Sequence, residues 1–240
     1  MLSTYAIAHR LPDIPRWVEA RSLLLSGQCE IFGLTEAHDL SLAVRDPSTG
    51  SVVVIGKPSR AAVEDAVREI MHDGSLAAAP ELAPWLADVL PGWSGTRAIL
   101  YLLRERARLP APAANVDFLD AGTIDRLSIS TQLRRELRIG AEDSPIVATF
   151  VNGQPVSFCY AGAVTESLWD VAIDTLPEHR RRGYAGLCAA QMIRHMATSG
   201  KEPIWGAVEE NAASWRLAEK IGFAAVDEIA LFEPPHASED

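Results

Sequence analysis

Residues 173–185 read Ile-Asp-Thr-Leu-Pro-Glu-His-Arg-Arg-Arg-Gly-Tyr-Ala, and this stretch limits what the chain can fold into more than any other. An apolar strand ends, an arginine-rich turn follows, and a long helix begins. The helix is expected from about Gly183 to Ser199, with Cys188, Met192 and Met196 on one stripe and Gly200 as its stop. The first turn of a helix has amides without intrahelical partners, and the helix dipole adds partial positive charge there. Such an end suits an anion, a diphosphate above all. Gly183 carries no Cβ to hold a phosphate off the backbone, and Ala185 is the next smallest choice. Arg180, Arg181 and Arg182 raise the positive potential around that point. The plainer alternative is a solvated basic turn.

The neighbouring sequence gives this turn a setting. Ile146–Val151 and Val156–Tyr160 are strand-like and joined by Asn152-Gly153-Gln154, a hairpin signal. Leu168–Thr175 is the next strand. Ile204–Val208 follows the long helix as another, a shorter helix runs from Asn211 to Gly222, and 223–232 closes the sheet. The expected order is therefore β-hairpin, β, α, β, α, β.

With those residues in place, the segment resembles the GCN5-related N-acetyltransferases (GNAT superfamily). Arg180-x-x-Gly183-x-Ala185, preceded by Pro177, is similar to that family's R/Q-x-x-G-x-G/A signature. A second motif, Asn211-x-x-Ser214 followed by Leu217-Ala-Glu-Lys-Ile-Gly-Phe223, is similar to a subgroup with Asn-x-x-Ser. The resemblance covers roughly residues 115–232. It implies an α/β fold: a mixed, mostly antiparallel sheet with flanking helices, splayed between two central parallel strands, and preceded here by a smaller α/β N-terminal domain.

The resemblance also implies a function, transfer of an acetyl group from acetyl-CoA directly to a primary amine of a small molecule or protein. By position, the amides of Arg181, Arg182, Gly183, Tyr184, Ala185 and Gly186 would hold the pyrophosphate, with Arg180 and Arg182 assisting. Ile173 to Thr175 would hydrogen-bond the pantetheine arm, and Asn211 would reach the same arm. Attack on the thioester would be direct, without a covalent enzyme intermediate. One departure stands out: where many members carry a tyrosine that protonates the leaving thiolate, this chain has Ala218. Ser214 is the expected donor in its place. The missing tyrosine keeps open a second reading, a non-catalytic CoA- or acyl-CoA-binding regulatory module.

The attacking amine must lose a proton, and a carboxylate can take it directly or through water. Glu166 and Asp170 rank first as candidates, ahead of Glu209. Asp170 and Asp174 share one strand face by the two-residue period.

Before residue 110 the signals are a strand at Leu40–Val44, turn chemistry at 46–50, a β-branched run at Val52–Ile55 and a helix capped by Ser59. A helix around Pro84–Leu90 and a strand at Arg97–Leu103 follow. The Pro/Ala-rich stretch 108–114 reads as a connector, dividing the chain into 1–110 and 111–240. The first part could be a degenerate relative of the second or a lid over the acceptor site. No internal repeat of fixed period is visible.

Composition narrows the partners. A net charge of −10 disfavours nucleic acid and anionic membranes and favours a cationic partner. No apolar run is long enough to cross a membrane, and the first ten residues lack a secretory pattern. Cys29, Cys159 and Cys188 show no CxxC pair, and the six histidines form no HExxH pattern. The expectation is a cytoplasmic protein with reduced thiols, acetyl-CoA as co-substrate, no metal, and a homodimer left open.

Overall fold

The computed structural model describes residues 2–35, 39–70 and 74–235. They form two compact units. The first comprises residues 1–100 with 207–211 and 226–240, the second residues 101–206 with 212–225. The expected connector lies inside the second unit. There the Arg194 guanidinium donates to the Pro110 carbonyl, and the Pro110 ring lies near Gly186.

The first unit begins with helices α1 (Thr4–Ala8) and α2 (Val18–Ser26), then strands β1 (Glu30–Thr35), β2 (Ser41–Arg45) and β3 (Val52–Ile55). Helix α3 (Arg60–Val67), strand β4 (Leu76–Ala78), helix α4 (Ala83–Val89) and strand β5 (Ser94–Leu103) follow. The β1/β2 and β2/β3 pairs are antiparallel and β3/β4 is parallel. All four residues of β3 are buried, as the unbroken β-branched run requires. Leu42, Val44, Val53 and Ile55 face α1 and α2, while Ala43, Val52 and Val54 pack with α3 and α4.

The second unit opens with β6 (Val116–Leu119), α5 (Ala121–Ile124) and α6 (Thr131–Asp143). It continues through β7 (Ile146–Val151), β8 (Gln154–Val164), β9 (Leu168–Thr175), α7 (Tyr184–Ala197), β10 (Glu202–Val208), α8 (Ala212–Lys220) and β11 (Phe223–Glu233). The expected strands at 146–151 and 168–175 stand as read. Asn152 and Gly153 are both left-handed, at φ 51° and 76°, as a two-residue hairpin turn of the right twist demands. β6 to β9 form an antiparallel meander, and β9 pairs with β10 in parallel.

That parallel ladder is short. Its register runs Leu168↔Glu202, Trp169↔Pro203 and Asp170↔Ile204, while β9 continues to Thr175 and β10 to Val208. The expected mixed, mostly antiparallel sheet with flanking helices is the fold observed.

The order of elements in the first unit, α-α-β-β-β-α-β-α-β, recurs in the second from α5 to β11. The pairings recur too: two antiparallel steps, then one parallel step across a helix. No residue period betrays this, because the repeat is one of topology. β11 follows α8, and its later residues belong to the first unit, where it pairs antiparallel with β4 through Leu231↔Ala77.

Candidate functional site

The second unit presents an open helix mouth. After β9, a 3-10 turn at Pro177–His179 returns the chain, its His179 and Arg180 amides donating to Leu176 and Pro177 carbonyls. Arg180 Nε donates to the Thr175 carbonyl at 3.1 Å and ties the turn to the strand end. Arg181 (φ 60°) and Gly183 (φ 84°) are both left-handed. For arginine that conformation costs roughly 1–2 kcal/mol, and alternating handedness of this kind turns successive amides toward one concave point.

Gly183 caps α7 without any side-chain hydrogen bond. A Cβ built on it would meet nothing within 4 Å. Among the described residues, no hydrogen bond occupies the amides of residues 181–186. Arg181, Arg182 and Gly183 are exposed, and Tyr184 and Ala185 partly so. The helix is pinned from below: Thr149 Oγ1 donates to the Tyr184 carbonyl at 3.2 Å and lies 2.9 Å from Cys188 Sγ. Gly186 is buried, with Leu217 Cδ1 3.5 Å from where its Cβ would stand.

The first unit has the same crossing, but its mouth is closed. Residues 56–59 link β3 to α3 where 176–183 link β9 to α7. Ser59 caps α3, its hydroxyl accepting from the Ala62 amide at 3.2 Å. A Cβ on Gly33 would fall 2.4 Å from Ala62 Cβ, so β1 packs directly against that helix end.

The two faces of β9 differ. Thr175 faces α7, its hydroxyl 2.8 Å from Ser157 Oγ, while Ile173 is in register with Cys159. On the opposite, α6-facing side Ala172 and Leu176 pack against Leu137, Phe158 and Tyr160. Asp174 lies there too, accepting a hydrogen bond from the Tyr160 hydroxyl at 3.3 Å. A cavity of about 310 Å³ opens beside it, lined by Glu136, Leu133, Asp174, Leu176 and Arg180 among others.

The candidate carboxylates are dispersed. Glu166 is exposed in the turn before β9, roughly 25 Å of strand from Thr175. Asp170 stands on the last paired rung of β9 and β10, and a Cβ on Gly162 would be 3.2 Å from its Oδ2. Burial pushes its carboxyl up to about 6. Burial also raises Asp174, against the hydrogen bond from Tyr160 and the charge of Arg180. Glu209 is exposed and bound to Arg97, which lowers its carboxyl and makes it a poor proton acceptor. Ser214 accepts from Trp205 Nε1 at 2.9 Å. Ala218 is fully buried. Asn211, whose amide donates to the Val208 carbonyl at 3.0 Å, lies in a segment that packs with the first unit.

Sequence reasoning passed over Glu136 and Tyr160. One available signal was the strand period that sets Asp174 on the same face as Asp170. The helix that supplies Glu136 has an apolar stripe of Leu133, Leu137 and Ala141, a four-residue spacing that could have found it.

A model of the GNAT acetyltransferase family matches residues 147–232, the segment that carries the open mouth. No curated protein matches the chain. Among solved structures, a GCN5-related N-acetyltransferase-like protein from Streptococcus suis superposes with a TM-score of 0.69 at 17% identity, over 96% of this chain and 98% of that one. A GCN5-related N-acetyltransferase from Kribbella flavida gives 0.61 at 16% identity, over 99% and 97%. A tandem GNAT protein from the clavulanic acid biosynthesis pathway gives 0.53 at 11% identity, over 86% and 82%. The chain thus contains a segment that matches the GNAT acetyltransferase family model, and it has the fold of these structures along nearly its whole length.

Proposed function

We propose that the protein transfers an acetyl group from acetyl-CoA to a primary amine. The observation that carries this reading is the α7 mouth, open at Gly183, lined by exposed arginines and placed at the end of a strand that runs on past its short parallel ladder. The diphosphate would sit on the amides of residues 181–186, helped by Arg180 and Arg182. The pantetheine arm would lie along Ile173–Thr175, whose outward N–H and C=O groups alternate with those bonded to β8.

The amine nitrogen bonds to the acyl carbon and the C–S bond breaks. The coenzyme thiolate takes a proton, for which Ser214 is the proposed donor, and the amine's proton passes to a carboxylate. Glu166 and Asp170 are the carboxylates put forward by sequence. Asp170 has the better claim: its raised carboxyl suits proton exchange near neutral pH, and Glu166 lies at the far end of the strand.

Mixing the protein with acetyl-CoA and a panel of amines, while following free thiol, tests the proposal. Thiol release that depends on amine supports it. Tight cofactor binding with no release from any amine would favour a regulatory CoA-binding module, a reading kept alive by buried Ala218 where the resemblance would put a tyrosine.

A further inference from the structure

We infer that a buried polar rung across β7, β8 and β9 is the positioning device of the cofactor site. Thr149, Ser157 and Thr175, joined through Cys188 of α7, hold the diphosphate mouth and the pantetheine strand in one register. This rests on the acyl-transfer reading. It adds Thr149, Ser157 and Cys188 as positioning residues that act through the main chain rather than on the cofactor.

Strand register lays the rung out. Thr149 stands opposite Ser157 in the β7/β8 pair, and Ser157 stands opposite Thr175 in the β8/β9 pair. The neighbouring rung on the same face is Val147, Cys159 and Ile173. Thr149, Ser157 and Cys188 are fully buried, where a hydroxyl without a partner is costly. Valine at 149 and alanine at 157 would fill nearly the same space, so packing alone does not require hydroxyls there.

The protons run out to two main-chain carbonyls. Ser157 Oγ donates to the Asp174 carbonyl at 3.0 Å and lies 2.8 Å from Thr175 Oγ1. Thr149 Oγ1 donates to the Tyr184 carbonyl at 3.2 Å. Cys188 links the two halves: its Sγ lies 2.9 Å from Thr149 Oγ1 and donates to the Ser157 carbonyl at 3.3 Å. Burial pushes that thiol up to about 11, so it keeps its proton and serves as a donor.

Both carbonyls belong to peptide units whose other end the cofactor would use. A peptide unit is planar and trans, so its C=O and the following N–H point opposite ways. Fixing the Tyr184 carbonyl therefore aims the Ala185 amide, one of those in the 181–186 mouth. Fixing the Asp174 carbonyl toward Ser157 of β8 aims the Thr175 amide away from β8, on the edge proposed for the pantetheine arm. One bonded chain thus sets a diphosphate donor and a pantetheine donor together. A ligand with two linked parts outbinds either part only when its two sites are correctly spaced.

Calorimetry on the full chain tests this with two probes, acetyl-CoA and 3′-phosphoadenosine 5′-diphosphate, which keeps the diphosphate and lacks the pantetheine arm. No acetyl-CoA binding by the wild type would overturn the acyl-transfer reading and this inference with it. With binding established, Thr149→Val and Ser157→Ala should each weaken acetyl-CoA about tenfold. The nucleotide probe should stay within about twofold of its wild-type affinity, because only the spacing between the halves is lost. Thr149→Ser keeps the hydroxyl and should bind acetyl-CoA within about twofold of wild type. If Thr149→Val does not fold, Ser157→Ala decides. Three results would overturn the inference while leaving the acyl-transfer reading in place: unchanged acetyl-CoA affinity in either folded variant, equal weakening of both probes, or Thr149→Ser as weak as Thr149→Val.

Discussion

The Tyr160 hydroxyl donates to Asp174 Oδ2 at 3.3 Å across two antiparallel strands. Tyr160 is in register with Ala172, so Asp174 is its diagonal neighbour, within the reach of a long aromatic side chain. The bond favours the ionised carboxylate while burial opposes it. Tyr160→Phe should therefore raise the Asp174 carboxyl further. The bond is long, so the loss of stability at neutral pH should be modest, about 0.5–1.5 kcal/mol. Urea unfolding of the variant at pH 7 checks the size, and a gain in stability would contradict a bond to the ionised carboxylate.

Behind that pair stands Gly140 in α6. A Cβ there would fall 2.4 Å from Tyr160 Cδ2 and 3.0 Å from its Cγ. Alanine ordinarily gains up to ~1 kcal/mol over glycine inside a helix. Here the clash reaches the root of the ring, which cannot swing away alone, and overpacking of this kind costs ~1–3 kcal/mol. Gly140→Ala should lower the melting temperature; an unchanged or higher value would show that the ring yields.

Asp170 makes stability depend on pH in the unusual direction. Its carboxyl sits at about 6 in the folded chain, against about 3.9 when unfolded. Between these values the folded state binds more protons, so stability falls as pH rises from about 4 to about 6. At two units the contribution is at most ~3 kcal/mol, less whatever partial exposure screens. Asp170→Asn should flatten this slope in urea unfolding at pH 4 to 7 and stabilise the protein at pH 7.

Trp205 is nearly fully buried and Ser214 accepts its indole N–H. Ser214→Ala leaves that donor without its oxygen, at a cost of ~1–3 kcal/mol. If the hydroxyl also protonates the thiolate, kcat falls beyond what the stability loss explains. Comparing acetyl-CoA with an acyl donor of lower leaving-group pKa separates the roles, because the variant's deficit should shrink with the better leaving group.

How far the sequence reached follows from where its local signals lay. The Asn152-Gly153 turn, the β-branched run 52–55, the Ser59 cap and the strand 168–175 are local, and each lies where it was read. The candidate mouth at Gly183 was legible because helix-end chemistry is local too. Helix α6 was passed over although Leu133, Leu137 and Ala141 recur every four residues, because the stripe is narrow in an otherwise charged segment, and Glu136 was missed with it. The pairing of β11 with β4 joins residues far apart in the chain, and no window of sequence contains it. Proline content at 108–114 marks a stiff segment, whereas membership of a compact unit follows packing that no local window contains.

The central claim is a single diphosphate site at the mouth of α7. Calorimetric titration with acetyl-CoA, on the wild type and on Gly183→Asp, tests it most directly. The wild type should bind one molecule per chain, because Ser59 and Gly33 close the corresponding helix end of the first unit. The variant places a carboxylate at the phosphate position, its Cβ meets nothing within 4 Å, and the left-handed backbone there costs only about 1–2 kcal/mol, so heat of binding should vanish while the fold persists by circular dichroism. Unchanged affinity in Gly183→Asp, or two equivalents bound per chain, would contradict the account.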